Sequence, residues 1–115
     1  MKTIKSSQQF VISESIPWEN IGPGIQRQIL GYDDQIMMVK IKFAKGGIGE
    51  LHHHPHVQAS YIESGSFEFT IGDEKKVLNQ GDAYYIPPDV THGCICLEAG
   101  VLIDAFSPVR EDFLK

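Results

Sequence analysis

Alternation of apolar and polar residues, closed at each end by Gly or Pro, constrains this chain more than any other feature. Val39, Ile41 and Phe43 alternate with Lys40 and Lys42, and Phe67, Phe69 and Ile71 alternate with Glu68 and Thr70. A period of two puts one set of side chains on one face, the pattern of a half-buried β-strand. Gly72-Asp73 then leads into Lys75-Lys76-Val77-Leu78, which reads as a hairpin. Further strands are expected at 25–30, 83–86, 93–97 and 101–106. Gly46-Gly47, Gly65, Gly81-Asp82, Pro87-Pro88-Asp89 and Ala99-Gly100 are expected to turn the chain between them. No long stretch carries a 3.6-residue stripe, so helix is confined to short turns near 13–19 or 110–114. Many short strands at regular spacing specify an all-β sandwich or barrel.

The chain has 115 residues, of which 42% are hydrophobic, enough for one domain with its own core. Its formal net charge is −5 and no Lys/Arg run exists, which argues against nucleic acid or an anionic membrane as a partner. No apolar run approaches the roughly 18 residues of a membrane span. The opening Met1-Lys2-Thr3-Ile4-Lys5-Ser6-Ser7-Gln8-Gln9 lacks the apolar centre of a secretory signal, so the cytoplasm is the expected compartment. The first ten residues are polar enough to fray or to add an edge strand to a partner. Exposed edges favour burial against a second copy, and a homodimer is expected.

Four of the five histidines lie in His52-His53-His54-Pro55-His56, with Gln58 just beyond and His92 downstream. Imidazole is the commonest protein ligand for divalent transition metals. On an extended segment His52 and His54 point to the same side and can grip one ion. A solvated, tag-like histidine run is the competing account. His53 points the other way, and neither it nor His56 is expected to bind the ion directly. Cys94 and Cys96 sit too close for a disulfide within a flat strand and read as reduced, buried residues. They share a face with His92 on a regular strand, which leaves a sulfur ligand open.

The motif residues fall into two blocks. The first is Gly46-x5-His52-x-His54-x3-Gln58-x6-Gly65, and the second is Gly81-x5-Pro87-x-Asp89-x2-His92. Fifteen residues separate the blocks. This pattern resembles the paired motifs of the cupin superfamily over residues 36–106. The resemblance implies a double-stranded β-helix, a jelly-roll barrel forming a single domain over residues 1–115 with an N-terminal arm at 1–24. It also implies that His52, His54, Gln58 and His92 converge on a divalent metal, with Ni, Zn, Fe and Mn all suited. Three departures stand out: Gln58 replaces the usual Glu, Asp89 the usual Gly, and Cys96 the usual Asn. The first leaves four neutral donors and the ion's full +2 charge in the site, which attracts anions.

A narrower resemblance covers nearly the whole chain. Ile16-Pro17-Trp18-Glu19-Asn20-Ile21-Gly22-Pro23-Gly24-Ile25-Gln26-Arg27, the His52–Gln58 stretch, Gly65-Ser66-Phe67-Glu68-Phe69 and the tail Asp104-Ala105-Phe106-Ser107-Pro108-Val109-Arg110-Glu111-Asp112-Phe113-Leu114 look like KdgF-type cupins of pectin and alginate breakdown. That family's activity is ketonisation of 4,5-unsaturated monouronates to linear keto acids, which makes a small anionic sugar acid the implied substrate. The resemblance places its functional residues at the metal ligands and at Asp104, Phe106 and Arg110. The residue types suit these tasks. Asp104 shares a strand face with Leu102 and Phe106, an unusual place for a carboxylic acid unless it moves protons. An outward Asp104 paired with a lysine is the bland alternative. Arg110 offers a planar fork for a carboxylate, although tail arginines are more often surface ion pairs. Phe106 would wall the pocket. Arg27 is a second candidate anion contact, and Tyr61, Tyr84 and Tyr85 either line the pocket or pack. Two other functions compete: an iron-dependent dioxygenase, and a sugar-acid binding module without turnover.

Overall fold

A computed structural model describes residues 5–115. Its strands are β1 (Glu19–Gly22), β2 (Ile25–Tyr32), β3 (Met37–Phe43), β4 (Ile48–His52), β5 (Val57–Ile71), β6 (Glu74–Asn79), β7 (Ala83–Ile86) and β8 (His92–Ser107). Short 3-10 turns at Ser13–Ser15 and Glu111–Leu114 are the helical elements among the described residues. None is long and apolar enough to cross a membrane.

Every strand pairing is antiparallel, and β5 and β8 hold the fold together. The first part of β5 pairs with β7 and its last part with β6. The first part of β8 pairs with β4 and its last part with β3, beyond which lie β2 and β1. These two strands, 15 and 16 residues long, pair with each other from Val57↔Ser107 to Ile71↔His92. They therefore pass through both layers of a jelly roll.

Here the structure corrects the sequence reading. Gly65 and Ala99-Gly100 do not turn the chain between separate strands; they bend two continuous ones. Register shifts cluster between Ile62 and Phe67, opposite 98–101. Gly65 takes φ +86°, and a Cβ there would sit 2.6 Å from the Gly100 Cα. The corner needs two residues without side chains because the backbones touch. Gly72 does turn the chain, with φ 57° at the first loop position between Ile71 and its partner Glu74.

The core follows the alternation. Phe43, Ile62, Phe67, Phe69 and Leu102 form one buried cluster, with Phe67 edge-on to Phe43 at a centroid distance of 5.2 Å. Met37, Val39, Phe106 and Val109 form a second, closed by Phe113 and Leu114 of the final turn. The N-terminal segment covers the outside of β2. Gln28, only 3% exposed, donates to the Ser13 and Ile16 carbonyls at 2.8 and 2.9 Å, so its burial leaves its amide nitrogen satisfied. Ser7 exchanges hydrogen bonds with Tyr32 of its own chain, where fraying or pairing with a partner was expected. The part of the expected arm before residue 5 lies outside the described residues.

Gly100→Ala tests the corner. Its methyl would meet the Ser64 carbonyl and the Gly65 backbone, which cannot withdraw without breaking the β5–β8 ladder. Urea denaturation is expected to show a loss of about 3 kcal/mol or more.

Candidate metal centre and its cavity

The β4–β8 pairing brings the two sequence blocks together. His52 ends β4 and His92 begins β8 as directly paired residues, with ring centroids 4.3 Å apart. A register shift between Gly49 and His52 re-aims the end of β4. His54 follows in the loop, its ring 5.7 Å from His52 and 4.9 Å from His92. One ligand atom from each of the three lies within 4.8 Å of the others. The loop is held by the proline turn: the Asp89 N–H donates to the His54 carbonyl at 2.8 Å. Asp89 has φ 62°, the left-handed region that glycine favours and Asp tolerates, which accounts for one departure from the cupin pattern.

Backbone carbonyls set the ring tautomers. His52 Nδ1 lies 2.8 Å from the Glu50 oxygen, His92 Nδ1 2.9 Å from that of Val90, and His54 Nδ1 3.1 Å from that of His56. An Nδ1–H donating to each carbonyl leaves every Nε2 lone pair free to ligate. Burial lowers the pKa of His54, and it lowers that of His92 to about 4, so both stay neutral at pH 7. His54 Nε2 then faces Gln58 Oε1 at 3.0 Å, two acceptors with no proton between them. Turning the tautomer only moves the conflict to the His56 carbonyl. A cation between the two removes it. The residues present therefore fit a divalent transition metal bound by three imidazoles and the Gln58 oxygen.

A chain of buried polar groups continues from this point. Gln58 Nε2 donates to Ser60 Oγ at 3.1 Å, and the Ser60 hydroxyl donates to Asp104 Oδ1 at 2.5 Å. Ser60 and Asp104 are paired across β5 and β8, as are Gln58 and Phe106. Tyr84 faces both Ser60 and Asp104. Asp104 is 3% exposed, and burial pushes its pKa up to about 6 against the opposing effect of hydrogen bonds from Ser60 and Gln58 and the charge of Arg110. It is an inward group, not the outward lysine partner weighed from sequence.

These residues surround a cavity of about 510 Å3, lined by His52, Gln58, His92, Tyr84, Asp104 and Phe106 among others. Ile21 and Pro23, from the β1–β2 end, also reach it, and alternation gave no sign of that. His54 sits behind, edge-on to Phe106. Arg110 is not on the wall. Its Nε and Nη2 pair side-on with Asp112 at 3.1 and 3.0 Å, and its guanidinium lies over Phe113 at 4.2 Å and Phe106 at 5.0 Å. Arg27 stacks on Phe113 at 4.0 Å and pairs with Glu19 at 3.5 Å, also off the wall. Tyr61 and Tyr85 are exposed and point away.

His53 is exposed, 4.0 Å from Asp89, and His56 reaches the Val109 carbonyl at 3.2 Å. Cys94 and Cys96 are free. Burial pushes the Cys94 thiol up to about 12, and Cys96 Sγ donates to the Glu98 carbonyl at 3.0 Å. Neither sulfur belongs to the ligand cluster. Ser60, unmarked in sequence by any motif, joins Gln58 to Asp104.

Residues 39–106 match the family model of the cupin domain. The chain is also 48% identical over 109 residues to the pectin degradation protein KdgF of Dickeya dadantii (strain 3937), spanning 93% of this chain and 99% of that one. The chain belongs to the KdgF group of the cupin family. The structure of KdgF from Halomonas sp. superposes with a TM-score of 0.88 at 38% identity, covering 93% of this chain and 99% of that chain. An RmlC-like cupin from Shewanella frigidimarina NCIMB 400 gives 0.91 at 45% identity, with 94% and 97% covered.

Ni(II) added to chelator-treated protein at about a hundred times its Kd is expected to stabilise the fold by about 2.7 kcal/mol. For a chain of this size that is a rise in Tm on the order of 10 °C. His92→Ala should remove most of the rise, which differential scanning fluorimetry would read.

Proposed function

We propose that the reaction of this KdgF-type enzyme is the ring opening and ketonisation of a 4,5-unsaturated monouronate from pectin or alginate breakdown. One observation carries this reading. A buried carboxylic acid with a pKa near neutrality faces the same cavity as a three-imidazole cluster. The Dickeya relative's role in pectin degradation supports it.

The reaction moves one proton from the anomeric hydroxyl to C4 and leaves oxidation state unchanged. Ionised Asp104 accepts the hydroxyl proton as the bond between C1 and the ring oxygen breaks. The ring oxygen leaves as an enolate at C5, and Asp104 returns a proton to C4 to give the ketone. A metal held by His52, His54, His92 and Gln58 would supply Lewis acidity to the developing negative charge. Phe106 closes the wall beside Asp104 and keeps water from it. Arg110 exchanges Asp112 for the substrate carboxylate, and its position over Phe106 keeps it close to the site.

Loss of the ultraviolet absorbance of the conjugated double bond measures the reaction. With Asp104 titrating at about 6, kcat/KM should fall about tenfold per pH unit below that value, because the ionised form begins the cycle. Asp104→Asn should lower kcat by a factor of about 100 or more and remove this inflection. The rate should be unchanged without oxygen; oxygen consumption would favour the dioxygenase, and no turnover by metal-loaded protein the binding module.

Arg110→Lys keeps the charge but loses the fork. It should raise KM about tenfold with a smaller change in kcat, since it removes binding shared by ground and transition states. Steady-state kinetics on the same uronate would check this.

A further inference from the structure

The glutamine at position 58, where cupins usually carry glutamate, has a cause in the buried chain that runs to Asp104. We infer that Ser60 is a positioning residue: by donating its one proton to Asp104 it compels residue 58 to be an amide and aims the Gln58 oxygen at the histidine cluster. The inference rests on the reading of Gln58 as a metal ligand and goes beyond it.

A serine hydroxyl has one proton. Here it is given to Asp104 Oδ1, so toward Gln58 the Ser60 oxygen can only accept. Gln58 Nε2 donates to it at 3.1 Å, and the amide's other end, Oε1, is left facing His54 Nε2 at 3.0 Å. The flipped amide would place its NH2 against the imidazole lone pair and its oxygen against Ser60. That arrangement cannot ligate a cation, and it takes the hydroxyl proton away from Asp104. Tyr84 also faces Ser60 and Asp104 and adds one proton; Asp104 has two oxygens, so a Tyr84 proton can rest on the second while Ser60 keeps its bond to Oδ1. Gln58, Ser60 and Asp104 are each 5% exposed or less, so a donor or acceptor left without a partner there is costly. A glutamate at 58 would leave Ser60 between two acceptors with one proton to give. The glutamine and the aspartate, 46 positions apart in sequence, are on this account one unit joined through Ser60.

The test is calorimetric titration of chelator-treated protein with Ni(II) alone, with thermal melts of each metal-free variant to confirm folding. Ser60→Ala should weaken Ni(II) binding about tenfold, the lower end of what loss of a group supporting a ligand costs. Ser60→Thr, which keeps the hydroxyl, should restore most of it. Gln58→Ala should weaken binding at least as much as Ser60→Ala. Loss in Gln58→Ala without loss in Ser60→Ala would overturn this inference and leave the ligand reading standing; no loss in either would overturn both.

A double-mutant cycle covers the case in which Ser60→Ala does not fold. Asp104→Asn supplies an NH2 that can donate to Ser60 and frees the hydroxyl proton for residue 58. Gln58→Glu should therefore improve Ni(II) affinity about tenfold more in the Asp104→Asn background than in the native one. Equal effects in the two backgrounds would overturn the inference. Uronate turnover enters none of these readings, so the outcome is separate from that of the proposed reaction.

Discussion

The pairing of β5 with β8 is the constraint on which the rest of this structure depends. It runs from Val57↔Ser107 to Ile71↔His92 and is bent where Gly65 meets Gly100. The bend lets two strands serve both layers, and every other strand except β1 and β2 pairs directly with one of them. It also fixes the chemistry. Because the side-chain period is two, the register that pairs Ser60 with Asp104 and Gln58 with Phe106 sends those residues inward together. A slip by one residue would turn the carboxylate and the amide to solvent.

The cavity is built against its own stability. Asp104 titrates at about 6 in the fold and 3.8 as a free group, so the protonated fold is the more stable one. That stability is fully present below the free value and is lost as pH rises through about 6. Holding the ionised carboxylate at neutral pH then costs about 3 kcal/mol. That cost is what remains after the hydrogen bonds of Ser60 and Gln58 and the Arg110 charge have opposed burial, and packing elsewhere, including the aromatic contacts of Phe106, carries it. His54 and His92, held neutral by burial, lose nothing at pH 7 and stay able to ligate. In a chain of net charge −5, the cavity is where a bound cation would make an anionic substrate welcome.

Much of the fold was legible because alternation and turn chemistry are local. The runs at 39–43 and 67–71 became strands, and Gly72 turned the chain as a hairpin requires. Gly65 and Gly100 were read as turns because a glycine marks any backbone that needs room, and sequence cannot say whether that room serves a turn or a close crossing. The N-terminal segment looked free because its residues are polar. Its hydrogen bonds to Gln28 and Tyr32 of β2 are long-range and leave no local pattern.

In the site, the resemblance of the two blocks to cupins pointed to His52, His54, Gln58 and His92, and the fold gathers the three histidines with Gln58 beside His54. The inward face of Asp104 followed from its apolar neighbours on the strand. Arg110 shows the limit: its residue type suits a carboxylate, yet the fold pairs it with Asp112 and lays it over Phe106 and Phe113, off the cavity wall. Ser60 carried no signal, since a serine in a strand is ordinary until the opposite residue is known. Sequence alone determined the all-β class and marked the histidine cluster, because periodicity and residue type are local properties of the chain. Only the tertiary structure decided which polar groups meet across β5 and β8, because hydrogen-bond direction depends on neighbours that the register supplies.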